Sequence, residues 1–199
     1  MMFTGQRDPD RSKNAILSAA QHLFASQGYE SASLADIAAA AKVSRGLPSY
    51  FFENKEKLYD AVLARAADEL RQRVLQPIKL QTQSSLLNIL IFLVESYVDY
   101  LSAHPHIIRL LQWEFLRTKR RSSASVPQVL FQETLEVVSA AIPRTSLHGF
   151  DLRQLLLSIA SMCLWPFQIL EPDAALDAFA AERKRHVVQL LSNMLGGRQ

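Results

Sequence analysis

The sequence predicts an all-α protein of about nine helices. Three observations carry that expectation. Apolar residues recur three and four positions apart through nearly the whole chain. The interruptions are short and rich in Pro, Gly, Ser and Asn. No stretch alternates apolar and polar residues as a half-buried strand would, and no internal repeat is visible. With 199 residues, 49% of them hydrophobic and 21% charged, the chain can bury a core in one or two domains.

Residues 1–10, with Gly5 and Pro9 and no periodicity, read as a mobile arm. A first helix runs from Arg11 to about Gln27 on Ile16, Ala20, Leu23 and Phe24, and Gly28 supplies a C-terminal residue able to take positive φ. Ser33-Leu34-Ala35-Asp36 has the capping-box pattern, which starts a second helix reaching Ala41. Lys42-Val43 makes a turn. Ser44 suits the N-cap of a short third helix, Arg45 to Phe51, in which Pro48 is tolerated because it falls near the first turn. Of the adjacent Phe51 and Phe52, Phe52 is expected to face the core. Asn54 caps a long fourth helix from Lys55, carrying Leu58, Tyr59, Val62, Ala66 and Leu70 and ending before Pro77.

After the polar break Gln81 to Ser85 the helices become greasier: Leu86 to Ala103, His106 to Thr118, Gln128 to Ile142, Asp151 to Leu170 and Ala174 to Leu195. This gives an N-terminal domain at 1–60 and a helical domain at 61–199. The single cysteine, Cys163, lies in the apolar run LLLSIASMCLW, so no disulfide can form within the chain and an inert buried thiol is expected. The first residues lack the apolar region of a secretory signal, and the run LLNILIFLV from Leu86 is about half the ~20 residues a membrane span needs. The expected location is the cytoplasm, with no membrane partner.

Two short helices joined by a tight turn form a helix-turn-helix, whose second helix can enter a DNA major groove. Net charge is only +3, and the first 80 residues hold eleven Lys/Arg against nine Asp/Glu, so affinity for a polyanion has to come from where cations sit. Arg45, placed at the start of the third helix, is assigned to a base edge, most naturally guanine. Lys55 is assigned to backbone phosphate, where an anion would offset the unfavourable position of a cation at a helix N-terminus. Ser33 and Ser44 present hydroxyl and N–H groups at helix starts, Gly46 permits close backbone approach, Tyr50 can reach phosphate, and Leu47 and Ser49 face the groove. Each of these residues has an ordinary solvated or capping role as its alternative.

Phe24, Gly28-Tyr29, Ser33, Asp36-Ile37-Ala38, Ala41, Val43-Ser44-Arg45-Gly46, Tyr50, Phe52, Lys55-Glu56 and Leu58 together resemble the TetR family of bacterial transcriptional regulators, over about Ala15 to Leu63. The resemblance implies an N-terminal three-helix DNA-binding domain and a C-terminal ligand-binding and dimerisation domain. It also implies a homodimer on a palindromic double-stranded operator, mostly repressing and released by a small-molecule effector. Lys42 stands where the family often has glycine, Ala35 where some members carry a polar contact residue, and Phe51 where many have histidine. Direct readout is therefore expected to lean on Arg45.

In the C-terminal part, Asn88, Phe92, Glu95 and Asp99 share one stripe, which is either a solvated face or, with Trp113, Phe115 and Phe131, the wall of a ligand cavity. Leu156, Ile159, Cys163, Phe167, Phe179, Val187 and Leu190 are candidates for a four-helix dimer interface, with ordinary core as the alternative. His104-Pro105-His106 has no companion ligand in sequence, so no metal is expected. The basic run Lys119-Arg120-Arg121 reads as a loop at a helix C-terminus. With no nucleophile elbow, phosphate-cradling loop or zinc spacing, neither an enzyme nor a cofactor is expected.

Overall fold

A computed structural model describes residues 8–80, 84–117, 125–142, 151–169 and 176–196. Among the described residues there are nine helices and no strand. Of the residues expected as an arm at 1–10, Pro9 and Asp10 already belong to α1, which spans Pro9–Ser31, with Asp8 accepting from the N–H of Asp10. Residues 1–7, and the basic run Lys119 to Arg121, lie outside the described residues. Gly28 interrupts α1 with φ 81 and ψ 169, a region essentially reserved for glycine.

α2 (Leu34–Ala40) starts on Ser33, whose Oγ accepts from Asp36 N–H at 3.1 Å. The reciprocal half of the expected box is replaced: Asp36, one methylene shorter than the usual Glu, takes the Ser33 hydroxyl at 2.5 Å instead. Lys42 has φ 55, so the turn after α2 uses the left-handed region. α3 is shorter than expected, Leu47–Phe52, and its N-cap is Gly46, not Ser44. The Ser44 carbonyl instead closes a turn onto Leu47 N–H at 3.0 Å, which leaves Arg45 in that turn and outside the helix. Pro48 and Phe52 are buried and anchor α3 from beneath.

α4 begins at Lys55 with Asn54 capping Lys57 N–H. It does not stop before Pro77. Lys55–Leu70 continues through a π-helical turn, Arg71–Leu75, into Gln76–Leu80. A proline ring clashes with the carbonyl four residues back and offers it no N–H. Here that carbonyl belongs to Arg73, and widening the preceding turn lets the helix pass the obstacle.

The remaining helices are α5 (Leu86–Ala103), α6 (Pro105–Arg117), α7 (Val126–Ala141), α8 (Leu152–Ile169) and α9 (Leu176–Gly196). α7 has a complete capping box between Ser125 and Gln128. α8 contains Pro166, which leaves the Met162 carbonyl without its helical donor; Arg183 Nε of α9 supplies one at 2.7 Å. By length and composition α5, 18 residues at mean hydropathy 1.5, could cross a membrane. Its Ile89, Leu90, Val94, Val98 and Leu101 are instead buried in the protein core.

Two apolar cores result. The first gathers Ile16, Phe24, Ile37, Phe52, Leu58, Tyr59 and Val62 around α1 to α4, and extends past residue 60 to Tyr100, Ile107 and Leu110 of α5 and α6. The second packs α5, α8 and α9 around Ile89, Leu90, Val98, Leu156, Cys163, Val187 and Leu191.

Candidate nucleic-acid interface and effector cavity

The helix-turn-helix presents a solvent face made of the turn before α3 and the outer side of α3. Ser33, Ser44, Arg45, Gly46, Ser49 and Tyr50 are exposed, Leu47 is half-buried, and Tyr50 is 80% exposed, an unusual position for an aromatic ring. A Cβ added to Gly46 would meet nothing within 4 Å, so no intramolecular contact explains that glycine. Phe51 packs against Tyr50 at 5.3 Å between ring centres.

Lys55 is placed differently from the phosphate assignment. Its ammonium donates to the Tyr29 carbonyl at 3.0 Å and the Glu30 carbonyl at 3.2 Å, and sits 4.4 Å from the Tyr29 ring centre. These carbonyls close the C-terminal end of α1, where the helix dipole favours a cation. Lys55 is a clip between α4 and α1 with at most one N–H left for a phosphate. Arg65 makes a second clip, donating to Ser18 and Gln21 of α1.

A half-open cavity of about 1050 Å³ lies among α4 to α8. Of the residues proposed for a cavity wall, Phe131 lines it; Phe92, Glu95, Asp99 and Trp113 do not. Phe92 packs against the second core, Glu95 is exposed, and Asp99 pairs with Lys184 at 2.7 Å, so the solvated-face alternative describes this stripe. Trp113 seals a different junction: its ring lies where a Cβ on Gly28 would meet it at 3.0 Å. The Phe115 side chain lies outside the described residues. Sequence reasoning missed Tyr97, Gln128, Gln132, Arg153 and Trp165, which do line the cavity. Burial pushes the Tyr97 phenol up, and Tyr100, also raised by burial, donates to the Ala66 carbonyl at 3.2 Å.

Five of the seven interface candidates, Leu156, Ile159, Cys163, Phe167 and Val187, are buried inside the single chain. Phe179 is half-buried and meets Phe167 edge-on at 5.4 Å. Only Leu190 is on an exposed face. It is accompanied there by Met194 of α9, while α8 exposes Leu157, Trp165 (61%) and Ile169 (63%), at the four- and eight-residue spacings of one helix side.

His104 and His106 have ring centres 5.9 Å apart, and His104 Nδ1 is 2.8 Å from the Tyr100 carbonyl. Among the described residues no three His, Cys, Asp or Glu gather as a metal site.

The fold and the exposed face define an all-α protein with an N-terminal helix-turn-helix on a cavity-bearing helical body. Residues 16–62 match the family described as bacterial regulatory proteins, tetR family. It is 32% identical over 109 residues to the HTH-type transcriptional repressor SCO4008 of Streptomyces coelicolor, covering 54% of this chain and 52% of that protein. It is also 32% identical over 108 residues to the HTH-type transcriptional activator FasR of Mycolicibacterium smegmatis, covering 54% and 48%. The chain thus spans about half the length of these relatives. The solved structure of AibR in complex with isovaleryl coenzyme A and operator DNA superposes with a TM-score of 0.69 at 19% identity, over 90% of this chain and 97% of that one. This last likeness is one of fold.

Proposed function

We propose that the protein is a ligand-responsive, DNA-binding transcriptional regulator of the cytoplasm. It acts as a homodimer on a palindromic operator, most simply as a repressor that lets go when a small molecule occupies the cavity. The observation that carries this reading is the exposed face from Ser44 to Tyr50, held from below by buried Pro48 and Phe52. Arg45 reads a base edge from the turn ahead of α3. Gly46 lets backbone approach DNA, Leu47 and Ser49 face the groove, and Tyr50, Ser33 and Ser44 contact phosphate. Residues to about 60 form the DNA-binding unit and the remainder the effector and dimerisation unit.

The dimer face is revised to the exposed apolar residues of α8 and α9 that lie outside the cavity, Ile169, Leu190 and Met194. Two copies of such a face can pack as an isologous four-helix interface.

The test is selection of genomic fragments by the purified chain, followed by mobility shift. A two-fold site is expected. Arg45→Ala should lose discrimination at one base pair by about 1–3 kcal/mol while leaving thermal stability unchanged, since Arg45 is exposed. Absence of sequence preference at moderate salt, with Arg45→Ala indistinguishable from the parent, would remove the proposal.

A further inference from the structure

We propose that the cavity takes an amphipathic monocarboxylate: a long apolar body lying along α8, with its carboxylate at the Arg153 guanidinium. This deepens the effector reading above and rests on it. The lining follows α8 from Arg153 to Trp165, twelve residues or about 18 Å at the helical rise. Over that length the walls are overwhelmingly Leu, Ile, Val, Ala and aromatic side chains, which suits an elongated apolar body.

Charge selects the head group. Among the described lining residues Arg153 is the only side chain charged at neutral pH, and no carboxylate joins it. Its nearest acidic neighbour in sequence, Asp151, uses its carboxylate to cap the N–H groups of Arg153 and Gln154 at 2.9 and 3.2 Å. The guanidinium lies 5.8 Å from the Phe131 ring centre, against the wall of the cavity. A cationic ligand would meet repulsion there, and a neutral one would leave the cation unused. One guanidinium fork matches one carboxylate, two oxygens to two N–H groups, whereas a polyphosphate head asks for several cations. Arg153 is exposed, so the head sits at the mouth and the body inside. Gln128 adds a neutral donor: its amide oxygen accepts from Ser125 N–H at 2.8 Å, which leaves its NH₂ group available.

The test is calorimetric titration of the full chain with octanoate, laurate and palmitate, and, for comparison, dodecanol, dodecyltrimethylammonium and lauroyl-coenzyme A. The expected result is that laurate binds more tightly than dodecanol and the ammonium does not bind. Arg153→Gln should weaken laurate by about tenfold to a hundredfold and leave dodecanol where it was. Ala160→Phe, which narrows the cavity beside α8, should weaken both, with the far-ultraviolet circular dichroism of each variant checking the fold. Laurate binding equally to parent and Arg153→Gln, or the coenzyme A ester binding where the free acids do not, would overturn the proposal. So would no binding by any of the three acids to a preparation that still shifts its operator, and that outcome leaves the DNA reading standing. Laurate binding without any change in operator affinity keeps the ligand class and overturns the effector role.

Discussion

Gly28→Ala tests the joint between the helix-turn-helix part and the cavity-bearing part. Gly28 has φ 81 and ψ 169, and the Trp113 ring of α6 lies over it. A methyl group added there meets two independent obstacles. Backbone in this region costs a non-glycine residue about 1–3 kcal/mol. The new Cβ also stands 3.0, 3.1 and 3.2 Å from three ring carbons of Trp113, inside the ~3.5–4.0 Å optimum for carbon contacts. Overpacking of that kind costs about 1–3 kcal/mol unless the ring can shift. The sum, about 2–6 kcal/mol, is a large fraction of the ~5–15 kcal/mol that holds a typical domain folded. Urea unfolding followed by circular dichroism should show a lower midpoint at unchanged slope. The same substitution in a Trp113→Ala background separates the terms. The clash disappears and the backbone cost stays, so Gly28→Ala should cost about 1–3 kcal/mol less there. A Gly28→Ala midpoint within about 0.5 kcal/mol of the parent, or an equal cost in both backgrounds, would refute the reasoning.

Lys55→Met should lower stability by about 1–3 kcal/mol, because two carbonyls at the end of α1 lose their charged donor. A midpoint equal to the parent's, with a reduced salt slope for DNA, would return Lys55 to the phosphate role. Arg183→Met should leave the Met162 carbonyl unsatisfied beside Pro166, at about 1–3 kcal/mol. That lowers Tm by several degrees at the ~2–4 °C per kcal/mol expected for this size. An unchanged Tm would show that water replaces the donor. Burial pushes the Cys163 thiol up from 9.0 to about 12. As pH rises from about 9 to about 12, the unfolded thiol gives up its proton while the folded one keeps it. The unfolded state then binds fewer protons, and this group's contribution to stability falls as pH rises. Native protein should also resist iodoacetamide at pH 8, and rapid alkylation there would contradict the burial.

What was legible in the sequence follows from range. Helix positions depend on nearby neighbours: the Ser33 and Asn54 caps, the apolar spacing of Ile16, Ala20 and Phe24, and the positive φ of Gly28 were all readable. Local rules failed where two local signals competed. Ser44 looked like the better cap, yet Gly46 is the N-cap once Pro48 and Phe52 are drawn under α3. Pro77 looked like a stop, but α4 can widen by one residue and continue. Tertiary partners were not legible at all. Trp113, Phe92 and Phe131 have the same aromatic character, and one seals Gly28, one packs in the core and one walls the cavity. The interface residues failed for a related reason. Leu156, Ile159 and Cys163 are apolar because α8 must bury one side in its own chain, while Leu157 and Trp165, displaced around the helix, line the cavity, and Ile169 is exposed outside it. Periodicity counts apolar faces without saying what covers them.

The cavity and the helix-turn-helix part share side chains, which on the proposed function bears on how an effector acts. Leu63, Tyr100, Ile107 and Leu110 belong to the N-terminal core and also line the cavity. A ligand inside therefore touches the core that orients α1 and α4, with no intervening relay required. Packed interiors respond to such pressure by switching between arrangements, since they are too dense to deform gradually. The π-helical turn of α4 is a place for that switch: Val74 and Leu75 face the cavity, while Arg71 in the same turn grips Glu133 of α7 at 2.7 and 3.1 Å. α7 forms another wall of the cavity, so on the proposed function a ligand that moves either helix works on this pair. Turning an operator complex from mostly bound to mostly released would require the ligand to favour the releasing arrangement by about 5.5 kcal/mol. That exceeds the ~1–3 kcal/mol of a usual coupling; on the proposed function, two cavities of a two-fold dimer acting on one operator would supply the factor of two that closes most of the gap.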